Sequence, residues 1–167
     1  AVADYTECLK IAPGHFKARH NRGYCYECLN ETNLALEDYS AALEIDPSHI
    51  GTWSARASIY ERLGDIAKCI QEFRRAISLC DQNTDEGVKE GKAGLLVALG
   101  RVYSKSGRIE EGNACYSEAA GLLAEQGIRS SDDDGLSVGT VLFMRALNFK
   151  AQERYTLCIE DLNAILE

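Results

Sequence analysis

The sequence predicts an all-α fold, a solenoid of antiparallel helix pairs with about nine helices. Three observations predict it. Pro13 and Pro47, the only prolines, stand 34 residues apart, and so do His15 and His49. Laid out at that step, the chain falls into columns of bulky and small side chains, the mark of a repeat architecture. Within one repeat, Cys69, Ile70, Phe73, Ala76, Ile77 and Cys80 recur at spacings of three and four, which is a single apolar helix face.

The elements follow in chain order. Residues 1–15 are a half repeat, with Ala1, Tyr5, Cys8 and Pro13 at positions 20, 24, 27 and 32, and form a second helix, B. Residues 16–49 place Gly23, Tyr26, Ala35, Tyr39, Ala42 and Pro47 at positions 8, 11, 20, 24, 27 and 32. Residues 50–83 place Trp53, Ala57, Tyr60, Gly64, Cys69, Phe73 and Ala76 at 4, 8, 11, 15, 20, 24 and 27. Residues 84–92 are a charged insertion that extends the next helix A backwards by about two turns. Residues 93–126 place Leu96, Leu99, Gly100, Tyr103, Gly107, Tyr116 and Ala119 at 4, 7, 8, 11, 15, 24 and 27. Residues 127–138, around SSDDDG, read as a polar, mobile loop. Residues 139–167 place Leu142, Ala146, Phe149, Cys158, Leu162 and Ile165 at 4, 8, 11, 20, 24 and 27, a repeat cut short at its C-terminal end. The half repeat at one end, the cut repeat at the other and the lack of a polar capping helix make the chain read as a segment of a longer array.

A large residue at 4, small residues at 8, 20 and 27, aromatics at 11 and 24 and proline at 32 resemble the tetratricopeptide repeat family. The resemblance covers nearly the whole chain. It implies paired helices A and B stacked into a right-handed superhelix, with partners held in an inner groove. The physical logic agrees. Small residues at 8 and 20 let the helices approach, aromatics fill the space beside them, and one repeat cannot bury its own face, so stacking is obligatory.

Composition excludes several classes. Eighteen Lys and Arg against 26 Asp and Glu give a net charge of −8, the wrong sign for a bare phosphate-backbone binder, so nucleic acid is not an expected partner. Apolar residues at 46% argue against disorder, and no run of them is long enough to span a membrane. Seven cysteines without a framework spacing indicate reduced thiols in the cytoplasm.

The charges carry a pattern of their own. Position 7 is Arg22, Arg56 and Arg145 in three repeats, and position 23 of the same repeats is Asp38, Glu72 and Asp161. The repeat at 93–126 has Leu99 and Cys115 there, so both charges vanish together. Structural ion pairs explain this, in one repeat or between neighbours, with Asp4 a further candidate for Arg22. An arginine ladder for acidic ligand groups is the functional alternative.

By resemblance, the groove is lined by helix A positions 2, 5, 6, 9, 12 and 13. The candidates that follow are Lys17, His20, Asn21, Tyr24, Arg62, Arg101, Lys105, Phe143 and Met144. Such a groove suits an extended peptide or a helix. Members that hold chaperone C-terminal tails use a carboxylate clamp of Lys and Asn, then Asn, then Lys and Arg. Asn21 fits the middle element, but Gly51 and Ala55 fill the third, and a frame one repeat later puts Ser54 and Ser58 in the first. Chaperone tails are therefore disfavoured.

No catalytic residue, cofactor or metal site is expected. Cys25 and Cys28 lie mid-helix, away from the helix N-terminus that would activate a redox thiol, and no second ligand pair completes a zinc site. Asp132, Asp133 and Asp134 lack the spacing of a calcium loop. The sequence thus predicts a non-catalytic module binding a protein or peptide in its groove. The alternatives are a structural spacer of a large ciliary or trafficking assembly, and a targeting segment of an enzyme whose catalytic domain lies elsewhere.

Overall fold

The structure, a computed structural model, describes residues 1–83, 86–128 and 135–166, the side chains at 86–90 excepted. Among the described residues there are nine helices and no strand: α1 Val2–Ile11, α2 Phe16–Cys28, α3 Thr32–Ile45, α4 Ile50–Leu63, α5 Ile66–Gln82, α6 Glu86–Lys105, α7 Ile109–Glu125, α8 Val138–Ala151 and α9 Tyr155–Leu166. This is the all-α helix-pair architecture of the solenoid. Helices α2, α4, α6 and α8 are the A helices, and α1, α3, α5, α7 and α9 the B helices. Residues 86–92 of the insertion belong to α6, which begins at Glu86, ahead of residue 93. The Asp132–Asp134 run lies outside the described residues.

The chain forms two compact bodies, Ala1–Leu79 and Cys80–Glu167. In the N-terminal body α1 packs on α2, α2 on α3 and α3 on α4, with α2 also touching α4. In the C-terminal body α6 packs on α7, α7 on α8 and α8 on α9.

Helix starts and stops repeat with the sequence. His15 Nδ1 accepts from the Ala18 N–H at 3.1 Å, and His49 Nδ1 from the Thr52 N–H at 3.1 Å, so the histidine column caps α2 and α4. A capping box of Ser137 and Thr140 starts α8. Each A helix ends with a left-handed residue at position 15, Asn30 (φ 60°), Gly64 (φ 76°), Gly107 (φ 81°) and Glu153 (φ 59°). The next N–H then reaches back to the carbonyl at position 11: Glu31 to Tyr26, Asp65 to Tyr60, Arg108 to Tyr103 and Arg154 to Phe149, at 2.9–3.0 Å. Glycine takes this conformation freely; Asn30 and Glu153 take it as larger residues.

The core is the set of columns. Ala35, Tyr39 and Ile59 form a fully buried cluster, with Tyr26, Leu36 and Ala55 packed against it. In the C-terminal body Leu96, Leu99, Tyr103, Tyr116, Ala119 and Val141 are buried. Each large side chain buried this way contributes about 1.5–3 kcal/mol. Position 8 is the tightest point. A Cβ on Gly23 would lie 2.9 Å from Tyr39 Cδ1, and one on Gly100 would lie 2.8 Å from Tyr116 Cε1. Where the facing residue is Phe73 or Leu162 rather than tyrosine, position 8 is alanine, Ala57 and Ala146.

Candidate functional site

Three arginines make one arrangement three times. Arg22 donates through Nε and Nη2 to the two carboxylate oxygens of Asp38, both at 2.7 Å, and through Nη1 to Thr6 Oγ1 at 3.1 Å. Arg56 donates to Glu72 at 2.8 and 2.9 Å and to Ser40 Oγ at 3.1 Å. Arg145 donates to Asp161 at 2.9 and 2.5 Å and to Ser117 Oγ at 2.6 Å. Each guanidinium thus joins the acid on its own helix B to a hydroxyl at position 25 of the preceding helix B. The acid side chains are only 5–8% exposed. The hydrogen bonds to Asp38 and Asp161 push Arg22 and Arg145 above the ordinary arginine range. Their donors are committed internally, so these groups do not present a ladder to a ligand. Asp4 is not a partner of Arg22: its side chain is 85% exposed, and the donors of Arg22 end on Asp38 and Thr6.

The hydroxyl was missed in the sequence, although a signal exists. Thr6, Ser40 and Ser117 occupy position 25 ahead of each arginine repeat, while Arg74 stands there ahead of Leu99. The arginine, the acid and the hydroxyl vary together as three.

The A helices expose the rest of the candidate set. On α2, Lys17, Asn21, Tyr24 and Cys28 are exposed and spaced four, three and four residues apart, which is one stripe. Tyr24 is 60% exposed, and its hydrogen bond with Cys28 pushes the phenol above its ordinary range. Arg62 on α4 lies 3.5 Å from Glu27, whose other oxygen accepts from the buried Tyr39 hydroxyl at 3.0 Å. Burial first, then the Glu27 carboxylate, pushes the Tyr39 phenol far up. His20 is turned away from this stripe. Its Nδ1 lies 2.9 Å from Thr52 Oγ1, and its ring packs near His49 (centroids 5.0 Å) and Tyr39 (5.6 Å). Burial, then His49, lowers its pKa.

In the C-terminal body Arg101 and Lys105 are exposed on α6. Phe143 and Leu147 are 50% and 49% exposed on α8, with Met144 half-buried beside them. Behind this face lies a buried amide relay that the sequence reading passed over. Asn148 Nδ2 donates to Ser104 Oγ at 2.8 Å and to Asn113 Oδ1 at 2.7 Å. The signal was polarity in apolar columns: positions 21 and 10 are Leu36, Ile70, Ile59 and Val102 elsewhere.

All seven cysteines are free thiols. Among the described residues no three His, Cys, Asp or Glu side chains converge as a metal site would require. No helix among them is long and apolar enough to cross a membrane.

Family models described as "Tetratricopeptide repeat" match residues 16–49, 50–83 and 93–122. No curated protein matches the chain. Among solved structures, a crystal structure of MamA is similar at TM-score 0.77 and 17% identity, over 99% of this chain and 84% of that one. A structure from the functional characterisation of Pseudomonas aeruginosa pilF is similar at TM-score 0.71 and 14% identity, over 97% of this chain and 64% of that one. At such identities the likeness is one of fold.

Proposed function

The chain belongs to the tetratricopeptide repeat family, and on that premise we propose that it is a non-catalytic module whose A-helix faces hold a partner peptide or helix. The observation that carries the reading is the exposure of Tyr24, Phe143 and Leu147 on those faces, at 60%, 50% and 49%. A solvated helix face needs none of them, and covering the exposed half of each side chain is worth about 1 kcal/mol. Binding groups of this size on helical faces suit capture by several moderate contacts rather than bond-making chemistry. The free thiols favour a reducing, cytoplasmic setting, including that of a large ciliary or trafficking assembly. Nucleic acid is disfavoured by the net charge of −8, and chaperone tails by Gly51 and Ala55 in the clamp positions.

Affinity capture with the intact chain tests this. A Tyr24→Ala, Arg101→Ala variant is expected to lose at least one partner that the wild type retains, with an unchanged thermal melt. Identical capture by the two proteins supports a spacer, in which the A-helix faces do no binding.

A further inference from the structure

Helix α9 holds an apolar stripe in water. Tyr155, Ile159, Leu162 and Leu166 are spaced four, three and four residues apart and so share one face, and they are 58%, 56%, 38% and 85% exposed. The last three stand at positions 21, 24 and 28 of their repeat. The same columns are covered elsewhere. In α7 they are Asn113, Tyr116 and Ala120, all buried, and in α3 Tyr39 and Leu43 at 24 and 28 are buried. The following A helix helps to cover them: Asn148 of α8 donates to Asn113 at 2.7 Å, and Ile59 of α4 packs with Tyr39 in the buried cluster. Helix α9 therefore presents half of the interface that α3 makes with α4 and α7 with α8.

Position 25 specifies the other half. Thr6, Ser40 and Ser117 stand there, and each accepts from the arginine at position 7 of the next A helix, at 3.1, 3.1 and 2.6 Å. Arg74 stands there where the next A helix has Leu99. On α9 the residue is Asn163, which is exposed. Its amide carbonyl is an acceptor, as the three hydroxyls are, so α9 belongs to the arginine class. Covering that amide with an aliphatic side chain would strip its bonds to water without replacing them, which disfavours leucine there. Position 21 adds a second condition. Ile159 is apolar like Leu36 on α3, which precedes Arg56 and Ile59, and unlike Asn113, which is matched to Asn148.

We propose that α9 docks a helix pair of a partner protein. Its first helix brings an arginine to Asn163 and, three residues on, an apolar side chain to Ile159; its second helix supplies an acid sixteen residues after the arginine. The acid belongs to the ligand because each arginine in this chain takes its acid from its own repeat, and a guanidinium drawn out of water without one is costly. A second copy of the chain does not supply this pair, since Arg22, Arg56 and Arg145 already end on acids and hydroxyls of their own chain. The stripe lies on a B helix, so it adds a second binding surface to the A-helix faces.

The probe is a synthetic peptide copying residues 50–83, which carries Arg56, Ile59 and Glu72, together with a twin bearing Arg56→Leu and Glu72→Cys. Binding to the intact chain is read by fluorescence anisotropy under reducing conditions. The arginine peptide is expected to bind roughly tenfold more tightly than its twin. In the chain, Ile159→Ser, Leu166→Ser is expected to weaken both peptides, and Asn163→Leu to remove the difference between them. All three residues are exposed, so each variant should keep the wild-type thermal melt. Equal affinity for the twins, a preference that survives Asn163→Leu, binding indifferent to the serine pair, or no binding at all overturns the proposal. So does a dimer of the chain alone in sedimentation that the serine pair abolishes, because α9 then belongs to a second copy. None of these variants touches an A-helix face, so the module reading is decided separately, by partner capture with the Tyr24, Arg101 variant.

Discussion

At position 7 the N-terminal body carries Arg22 and Arg56, each clamped to a buried acid, whereas the first A helix of the C-terminal body carries Leu99, 3% exposed, opposite a column holding Cys115. One position in one fold is thus filled either by a guanidinium that makes three hydrogen bonds to an acid and a hydroxyl or by an aliphatic side chain that makes none. Beside the Arg145 set, the C-terminal body adds polarity in Asn113 and Asn148, at columns that are apolar in the N-terminal body. The comparison teaches that buried polar groups in this chain come and go as sets. A lone arginine or acid in either place would be left charged and unsolvated, while a complete set or a complete absence is tolerated.

The largest effect should come from breaking a set. Arg56→Leu leaves the Glu72 carboxylate, 8% exposed, without its two charge-assisted bonds, and should cost about 3 kcal/mol. Adding Glu72→Cys recreates the Leu99 and Cys115 combination and should restore most of the loss, read as the urea midpoint. If the double variant is no more stable than the single one, the arginine and acid do not act as a set.

A smaller effect is expected at position 8. Gly100→Ala sets a Cβ 2.8 Å from the Tyr116 ring and 3.2 Å from the Gly112 carbonyl, and overpacking of this kind should cost about 1–3 kcal/mol. Gly94→Ala on the same helix meets nothing within 4 Å and should instead stabilise by about 0.5–1 kcal/mol. Melting temperatures that move in the same direction for the two would show that contact with Tyr116 does not fix the glycine.

The smallest effect is one of pH and belongs to the N-terminal body. His49 Nδ1 accepts the Thr52 N–H, so it carries no proton, and His20 points its own Nδ1 at the same hydroxyl. The folded-state pKa of His20 is lowered by burial and by His49. The unfolded chain therefore takes up this proton first as pH falls. The stability tied to neutral His20 is complete above the unfolded value of about 6.5 and is lost as pH drops through the folded value. His49 and Tyr39 pack against the His20 ring, Glu27 accepts from the Tyr39 hydroxyl, and Asp46 lies on the loop before His49. His20→Leu should flatten the fall in urea midpoint between neutral and mildly acid pH, and an unaltered slope would exclude His20 as its source.

The fold was legible because it is written in columns: Tyr26, Tyr60 and Tyr103 recur at position 11, and all three close the same turn through their carbonyls. The candidate site was legible in part. Column logic placed Lys17, Asn21, Tyr24 and Phe143 on A helices, and these are exposed. It misjudged His20, because the buried Thr52 hydroxyl offers that ring a partner which no groove column describes. It paired Asp4 with Arg22 because position 23 was read without regard to which helix A owns it. The acid reaches the arginine sixteen residues before it, so Asp38, and not Asp4, belongs to Arg22. Asn113 and Asn148 went unread because a single amide in an apolar column looks like noise until its partner, 35 residues away, is compared with it.

One feature of the arginine sets bears on how the molecule comes apart. Helix α3 supplies Asp38 to one guanidinium and Ser40 to the next, so α1 through α5 are laced by an unbroken series of side-chain ties. A helix at the margin cannot peel off singly without stripping a guanidinium of a ligand it shares with two neighbours. Loss of order there should advance by groups of three helices, like a zip whose teeth each grip three tapes.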